Sequence, residues 1–434
     1  MEAQGKDKIT RILTRDLSKL DALELSSEYL HKVAEISEYN DLIASYYARL
    51  ADEPYIQTRD LYLRTAENVR RCHKLFFSES YPRINIKDVL SIPMCRNRFC
   101  ANCQKILQSK RIYKFKPRID KALDDNLYLY HIVFTVKSPD ANGVRLEYAA
   151  MQKAFALLIR YLSGNAKLSG FNVAGWGFRS AIRAIEVTCN ENGEYHPHFH
   201  CVFAFSSEPF GERTVINKFS YRRGRLDRKF SENEVLLQKL WRACVDISRC
   251  KIRYAWRHEY APYPEKFDPY PGVKLSKHRL ETIVRDMEYG YSVIADPLDD
   301  RNIYEIFKYV CKFTNDEHRL MTYEQFKVLQ DLLHKKRCVQ CFGDWYDPEF
   351  ENELNDITDE DERLMRKELR DLLCSLDEPR FTCDSPKQLA VDVDHNGLRV
   401  IYRSKIREHM DELMTKIRSD GQMTMDEFFG IVKS

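Results

Sequence analysis

The chain has 434 residues, 31% of them charged and 44% hydrophobic, with a net charge of only +3 and a mean hydropathy of −0.53. That is chain enough for roughly two to four domains. No apolar run approaches the roughly 20 residues of a membrane helix, which excludes a helical membrane protein, and the small net charge excludes nucleic-acid affinity resting on bulk positive charge. The opening MEAQGKDKITRILTRDL lacks the apolar core of a signal peptide, so a cytoplasmic location is expected. There the 13 cysteines stay reduced and point to metal ligation or burial rather than to disulfides.

Residues 1–70 carry Leu, Ile and Tyr at helical spacing in a charged background and read as a helical N-terminal region. In residues 71–118, Cys72 is followed by Cys95, Cys100 and Cys103 in MCRNRFCANC. A CxxC pair grips one side of a tetrahedral zinc and two further thiols close it, so the four cysteines are candidate ligands of a structural Zn²⁺, with His73 as the alternative to Cys72. Arg96, Arg98, Lys105, Lys110 and Arg111 surround this knot, whose expected role is to hold a basic surface in shape. Residues 96–118 and 213–229, with Arg222, Arg223 and Arg225 in the second, are basic and interleaved with Phe and Tyr. Such stretches suit a phosphate backbone with stackable bases.

Residues 119–316 read as an α+β domain with a largely antiparallel central sheet flanked by helices. LYLYHIVFTVKS (127–138) is a strand by its β-branched and aromatic content, and a helix follows over 145–162. Phe178 to Cys189 and the stretch HPHFHCVFAF (196–205) flank the turn signal Asn192-Gly193 and predict a hairpin. Strand alternation puts His196, His198 and His200 on one face, a metal platform. On the partner strand Glu186 sits within AIEVT, where a carboxylate is costly unless something positive lies against it. Residues 206–288 form an insertion too long for a mere connection, with a helix over 232–247. A last strand is expected near 291–294. In NIYEIFKYVCKFTND (302–316), Glu305 and Tyr309 share one helical face and Lys308 and Lys312 the next. Residues 317–434 read as a helical C-terminal region. Its isolated CxxC pair, Cys338 and Cys341, has no companions and stays unassigned.

Four blocks together, CRNRFCANC (95–103), HIVFTV (131–136), EVTCNENGEYHPHFHCVF (186–203) and EIFKYVCK (305–312), resemble the replication initiator (Rep) proteins of small bacterial plasmids that replicate by a rolling circle, within the HUH endonuclease superfamily. The resemblance implies that 119–316 is an HUH nickase domain in the cytoplasm of a bacterial host. It puts the paired metal histidines at His198 and His200, with His196 in reserve and Glu186 as third ligand, for Mg²⁺ or Mn²⁺. It puts the nucleophile at Tyr309 and a carboxylate, Glu305, where other members carry a second tyrosine, with Lys308 and Lys312 as phosphate clamps. The implied activity is sequence-specific nicking and strand transfer at an origin through a 5′-phosphotyrosyl intermediate, ended by Glu-activated water. The implied partners are origin DNA, single-stranded or cruciform at the nick and double-stranded at a recognition site, together with a host helicase and polymerase and a second copy of the chain. Two further readings use the same residues: an HUH transposase or relaxase, and a non-catalytic zinc-dependent DNA-binding regulator.

Overall fold

The computed structural model describes residues 39–53, 58–72, 75–81, 86–91, 94–190, 192–255, 277–298, 306–307, 321–359, 361, 363, 387–394 and 397–402. They divide into two compact units, one formed by the described residues up to Ile106 and from Ile357 onward, the other by Leu107–Asp356.

The second unit is built on a five-stranded, wholly antiparallel sheet. Its strands are β1 (Tyr128–Thr135), β2 (Phe178–Cys189), β3 (Tyr195–Phe205), β4 (Val293–Pro297) and β5 (Val339–Gly343), in the spatial order β4-β1-β3-β2-β5. The helices are α1 (Ala101–Asp124), α2 (Val144–Leu162), α3 (Glu232–Ala255), α4 (Lys277–Asp286), α5 (Tyr323–Leu333) and α6 (Pro348–Asn355). The β2-β3 hairpin forms as its turn chemistry demands. Gly193 takes φ +75, Asn190 N–H donates to the Glu194 carbonyl at 3.0 Å, and the Asn190 side chain accepts from Glu194 N–H at 2.9 Å. Pro197 would cost a ladder bond in the middle of a sheet. It lies beyond the last β1 pair, Thr135 with His198, where β3 has only β2 beside it.

Alternation gives the sheet two unlike faces. On one, Phe134, Phe199 and Phe203 meet Phe155 of α2 and Trp241 of α3, with Phe134 and Trp241 ring centroids 5.0 Å apart. Trp241 Nε1–H donates to the Thr135 carbonyl at 2.7 Å, so the indole is buried without an orphaned donor. Each of these aromatic side chains contributes about 1.5–3 kcal/mol by its burial. The fully buried Arg183 sits 4.4 Å from the centroid of the Phe199 ring, with Gln152 and Gln340 accepting from its guanidinium. Burial lowers its pKa to about 10.

The opposite face is covered along half its length. Leu129, Ile182, Ala184, Val202, Ala204, Val339 and Cys341 form one cluster with Ile112, Phe115 and Ile119 of α1, with Ile306 and Phe307, and with Trp345, Phe350 and Leu354. The i, i+3, i+7 spacing on α1 is the apolar stripe of an amphipathic helix, and Phe115 meets Phe307 edge-on at 5.7 Å. The histidines of β3 continue this face beyond the cluster.

In the first unit, helices 39–51 and Arg59–Arg71 match the helical reading of the N-terminal region as far as it is described. A four-stranded antiparallel sheet also appears there, with Gly397–Tyr402, Lys387–Asp394, Leu75–Tyr81 and Ile86–Ser91 in spatial order. The segment from 317 on is therefore not wholly helical. LAVDV and LRVIY alternate with period two across an Asp-His-Asn-Gly turn signal, and VQCFG is the short apolar run of a strand, here β5 on the sheet edge. The second CxxC lies on and beside β5, and its Cys341 is packed in the core, its thiol pushed up to about 12 by burial. The insertion is folded over 206–255: α3 runs past the expected end at 247, to Ala255.

Candidate functional site

The register of the β2-β3 hairpin places Glu186 directly across from His198 and Ala184 across from His200. Paired residues share a face, so Glu186, His198 and His200 stand together on the half of the sheet that the apolar cluster leaves uncovered. His200 Nε2 lies 2.9 Å from Glu186 Oε2, and the carboxylate is buried, with 9% of its side chain accessible. The partner that AIEVT requires is thus a histidine N–H donor. An ionised carboxylate only accepts, so Nε2–H of His200 donates, and its Nδ1 is left to accept. What it accepts from is His131 of β1, whose Nε2 is 3.3 Å away; the two rings stack at 15° with centroids 5.5 Å apart. His198 lies with its ring centroid 6.4 Å from that of His200. His196 is on the same face, opposite Thr188, and its Nδ1 is hydrogen-bonded to Ser138 Oγ.

His131 is the residue that sequence reasoning missed. It lies in HIVFTV, but nothing local marks an imidazole whose partner is 69 residues further on. It is only 8% exposed. Across the other edge of β1 its register partner is Asp296 of β4, which binds Arg228 at 2.8 Å and Arg213 at 3.4 Å. Ile306 and Phe307 reach the apolar cluster on this same face. Glu305, Lys308, Tyr309 and Lys312 lie outside the described residues, as does His73.

The four predicted cysteines meet in the first unit. The Sγ atoms of Cys72, Cys95, Cys100 and Cys103 all lie within 4.8 Å of one another. Cys72 and Cys95 stand 3.7 and 3.6 Å from Cys103, close to the ~3.8 Å edge of a zinc tetrahedron with ~2.3 Å bonds. Asn40 fixes the turn: its carbonyl accepts from Ala101 N–H at 3.0 Å and its amide donates to Cys100 Sγ at 3.3 Å. Hydrogen bonds among the thiols, added to burial, hold Cys72 and Cys95 well above the ordinary thiol range. At Cys100 burial pulls upward too, but hydrogen bonds from Cys103, Cys72 and Cys95 prevail and hold it well below. Four sulfurs drawn within ligand distance of one another are the donor set that a Zn²⁺ ion suits. Among the described residues this is the one group of three or more such side chains drawn together within ligand distance.

The basic residues expected around this knot part company. Arg96 pairs with Asp359 at 3.0 Å, Arg98 is half-buried, and the side chain of Lys105 lies outside the described residues. Lys110 and Arg111 are buried and donate to the carbonyls of Asp356 and Leu354, at 3.0 and 2.7 Å. They complete the C-terminus of α6 rather than a DNA surface, since the last carbonyls of a helix need donors and favour cations. Arg222, Arg223 and Arg225 are all exposed.

Residues 87–221 match the replication protein family (Rep_1). That stretch holds the hairpin, His131 and three of the four cysteines, and over it the chain is similar to this family of replication proteins. Two curated relatives, each named Protein rep, are similar to it. One, from Lentilactobacillus hilgardii, is 22% identical over 33% of this chain and 42% of its own length. The other, from a Bacillus species, is 23% identical over 36% of this chain and 48% of its own. The chain thus spans somewhat under half of each relative. No solved structure matches.

Proposed function

We propose that the protein is a plasmid rolling-circle replication initiator of the HUH endonuclease type, which nicks one strand at its origin through Tyr309. The observation that carries this reading is the convergence on one sheet face of Glu186, His198 and His200 with the cluster holding Phe307, two residues before Tyr309.

The donor set fits a divalent cation, since imidazole and carboxylate together suit Mg²⁺ or Mn²⁺. His198, His200 and Glu186 would hold it, with His196 kept by Ser138. When bound, such a cation neutralises charge on the scissile phosphate. The chain does the rest. The Tyr309 hydroxyl attacks phosphorus, the 3′ oxygen leaves with a proton, and the 5′ phosphate stays esterified to the tyrosine. Lys308 and Lys312 hold the phosphate oxygens. Glu305, four residues before Tyr309 in the sequence, takes a proton from water that then ends the cycle by hydrolysis. The freed 3′ hydroxyl is what a host polymerase extends after a helicase opens the duplex, and double-stranded origin recognition falls to the zinc knot with Arg96, Arg98 and Lys105.

The test is to incubate full-length protein with Mn²⁺ and a labelled single-stranded oligonucleotide from its own replicon's origin. A protein-DNA adduct stable in denaturant is expected; its absence under every divalent metal would refute the assignment. Glu305→Ala is expected to nick at the wild-type rate but to leave adducts that persist, read as covalent complex remaining after one round. Normal release by this variant would remove Glu305 from the mechanism.

His131 acts as a positioning residue, fixing the His200 ring from its Nδ1 side: with Nε2 turned to the cation, Nδ1 would carry the ring proton and donate it to His131 Nε2. Loss of such an outer partner of a metal ligand typically costs 10–100-fold. His131→Phe is therefore expected to lower nicking by about that factor and to raise the Mn²⁺ concentration for half-maximal activity. His131→Gln, whose amide oxygen keeps an acceptor there, should recover most of the loss; a His131→Phe enzyme with an unchanged Mn²⁺ requirement would contradict this role.

A further inference from the structure

Residues 221–227 form a run of seven exposed positions between the buried Ser220 and Phe230. They are not a loose loop. Tyr221–Arg222 and Arg225–Leu226 pair as a two-stranded antiparallel ribbon, with Tyr221 across from Leu226 and Arg222 across from Arg225. Its two-residue turn has φ +49 at Arg223 and +76 at Gly224, the pair of left-handed residues that a type I′ hairpin turn requires. Gly suits that conformation; an arginine there is uncommon and places a long cation at the tip.

The base of the ribbon is held firmly. Asp227 N–H donates to the Ser220 carbonyl at 2.8 Å and Val215 bridges Phe230. Ser220 and Phe230 are fully buried, and a capping box at Asn217 closes the turn that precedes the ribbon. Arg228, just beyond it, binds Asp296 at 2.8 Å. Asp296 is the residue across from His131, so the ribbon springs from the sheet edge beside the histidine face.

Its own two faces differ. Directly opposed residues share a face of a ribbon, so Tyr221 and Leu226, 54% and 50% exposed, stand together on one side and Arg222 and Arg225 on the other. An apolar pair left in water on a rigid, wholly exposed arm costs free energy unless something covers it. The three arginines say what does, because a polyanion with flat apolar faces along it satisfies both sides at once: guanidinium groups to phosphates, Tyr221 to a base.

We propose that the ribbon is a clamp for single-stranded DNA, in which Tyr221 and Leu226 stack against bases while Arg222, Arg223 and Arg225 hold the backbone and lead the strand over the edge of β4 to the histidine face. This rests on the nickase reading for its destination but not for its binding. Bases are available for stacking only where the duplex is open, which favours the single strand.

The experiment measures binding of full-length protein to a labelled oligothymidylate of about 20 nucleotides, in EDTA so that cleavage plays no part. Tyr221→Ala with Leu226→Ala is expected to weaken binding by about tenfold, with the salt dependence unchanged. Arg222→Ala with Arg225→Ala should flatten the slope of log affinity against log salt by about 1.4, two phosphate contacts on a single strand. Tyr221→Trp should retain affinity and gain an indole emission that is quenched on binding, a signature that a merely structural role would not produce. Wild-type affinity in both double variants, or an equal loss of affinity for blunt duplex, would overturn the single-strand clamp. An unquenched Tyr221→Trp protein that still binds would overturn the stacking. Because no nicking is read, a failure of the Tyr309 chemistry would leave this result standing, and the reverse holds too.

Discussion

Tyr309→Phe is expected to bind origin oligonucleotide as the wild type does and to form no covalent adduct at all. The change removes one oxygen and leaves the ring, so packing and substrate affinity are preserved while the attacking atom is gone. A free tyrosine ionises near pH 10, so the hydroxyl depends on its surroundings to be deprotonated at the moment of attack. The proposed source of that help is the divalent cation that Glu186, His198 and His200 would hold. Denaturing electrophoresis of the reaction with 5′- and 3′-labelled strands separates the outcomes. The wild type transfers the label lying 3′ of the nick to the protein, and Tyr309→Phe transfers none. Cleavage that persists in the variant would mean that water or another residue attacks, and the assignment of the nucleophile would fall. Cleavage lost in the variant while binding is also lost would point instead to a DNA-contact role for the phenol.

The second large effect is expected at the cysteine cluster. Purified protein should carry one zinc ion per chain, and Cys103→Ser should carry none. Cys103 is the hub, within 3.7 Å of Cys72 and 3.6 Å of Cys95. Structural zinc sites bind with an apparent ~10–16 kcal/mol that is also folding free energy. Even a fraction of it, about 4 kcal/mol, lowers the melting temperature of a unit of this size by ~10 °C. The effect should be local. Hydrogen exchange ought to accelerate in residues 39–51 and 94–104, where Asn40 ties the helix start to the cluster, while the five-stranded sheet keeps its protection. Elemental analysis that finds no zinc, with four freely alkylated thiols in the folded protein, would reduce the cluster to a buried group of cysteines.

Much of the site could be read before any coordinates. The Asn-Gly turn, the alternation of HPHFHCVFAF and the isolated Glu186 set a hairpin whose register follows from the turn, and the strand bounds 178–189 came out as expected. The cysteine knot was legible because a CxxC with two more thiols leaves few chemical alternatives. What escaped were relations between distant segments. His131 acquires its meaning only when β1 lies against β3, and no local pattern encodes that pairing. Lys110 and Arg111 looked like a basic surface because charge on a helix usually faces water. Here the carbonyls at the end of α6 needed donors, and burial of the two side chains met that need. The strands at 339–343 and 387–402 were hidden in a region whose charge density favoured helices, and only their period-two alternation betrayed them.

The pleat of β3 also divides the evolutionary fate of its residues by parity. Odd positions Phe199, Cys201, Phe203 and Phe205 are fully buried and hold the sheet to its helices, whereas even positions His196, His198 and His200 stay partly accessible on the other face. A lineage selected only for a folded chain would keep the first series and let the second drift. The first half of the decapeptide therefore stores two separable inheritances, interleaved residue by residue up to His200, beyond which Val202 and Ala204 join the core as well.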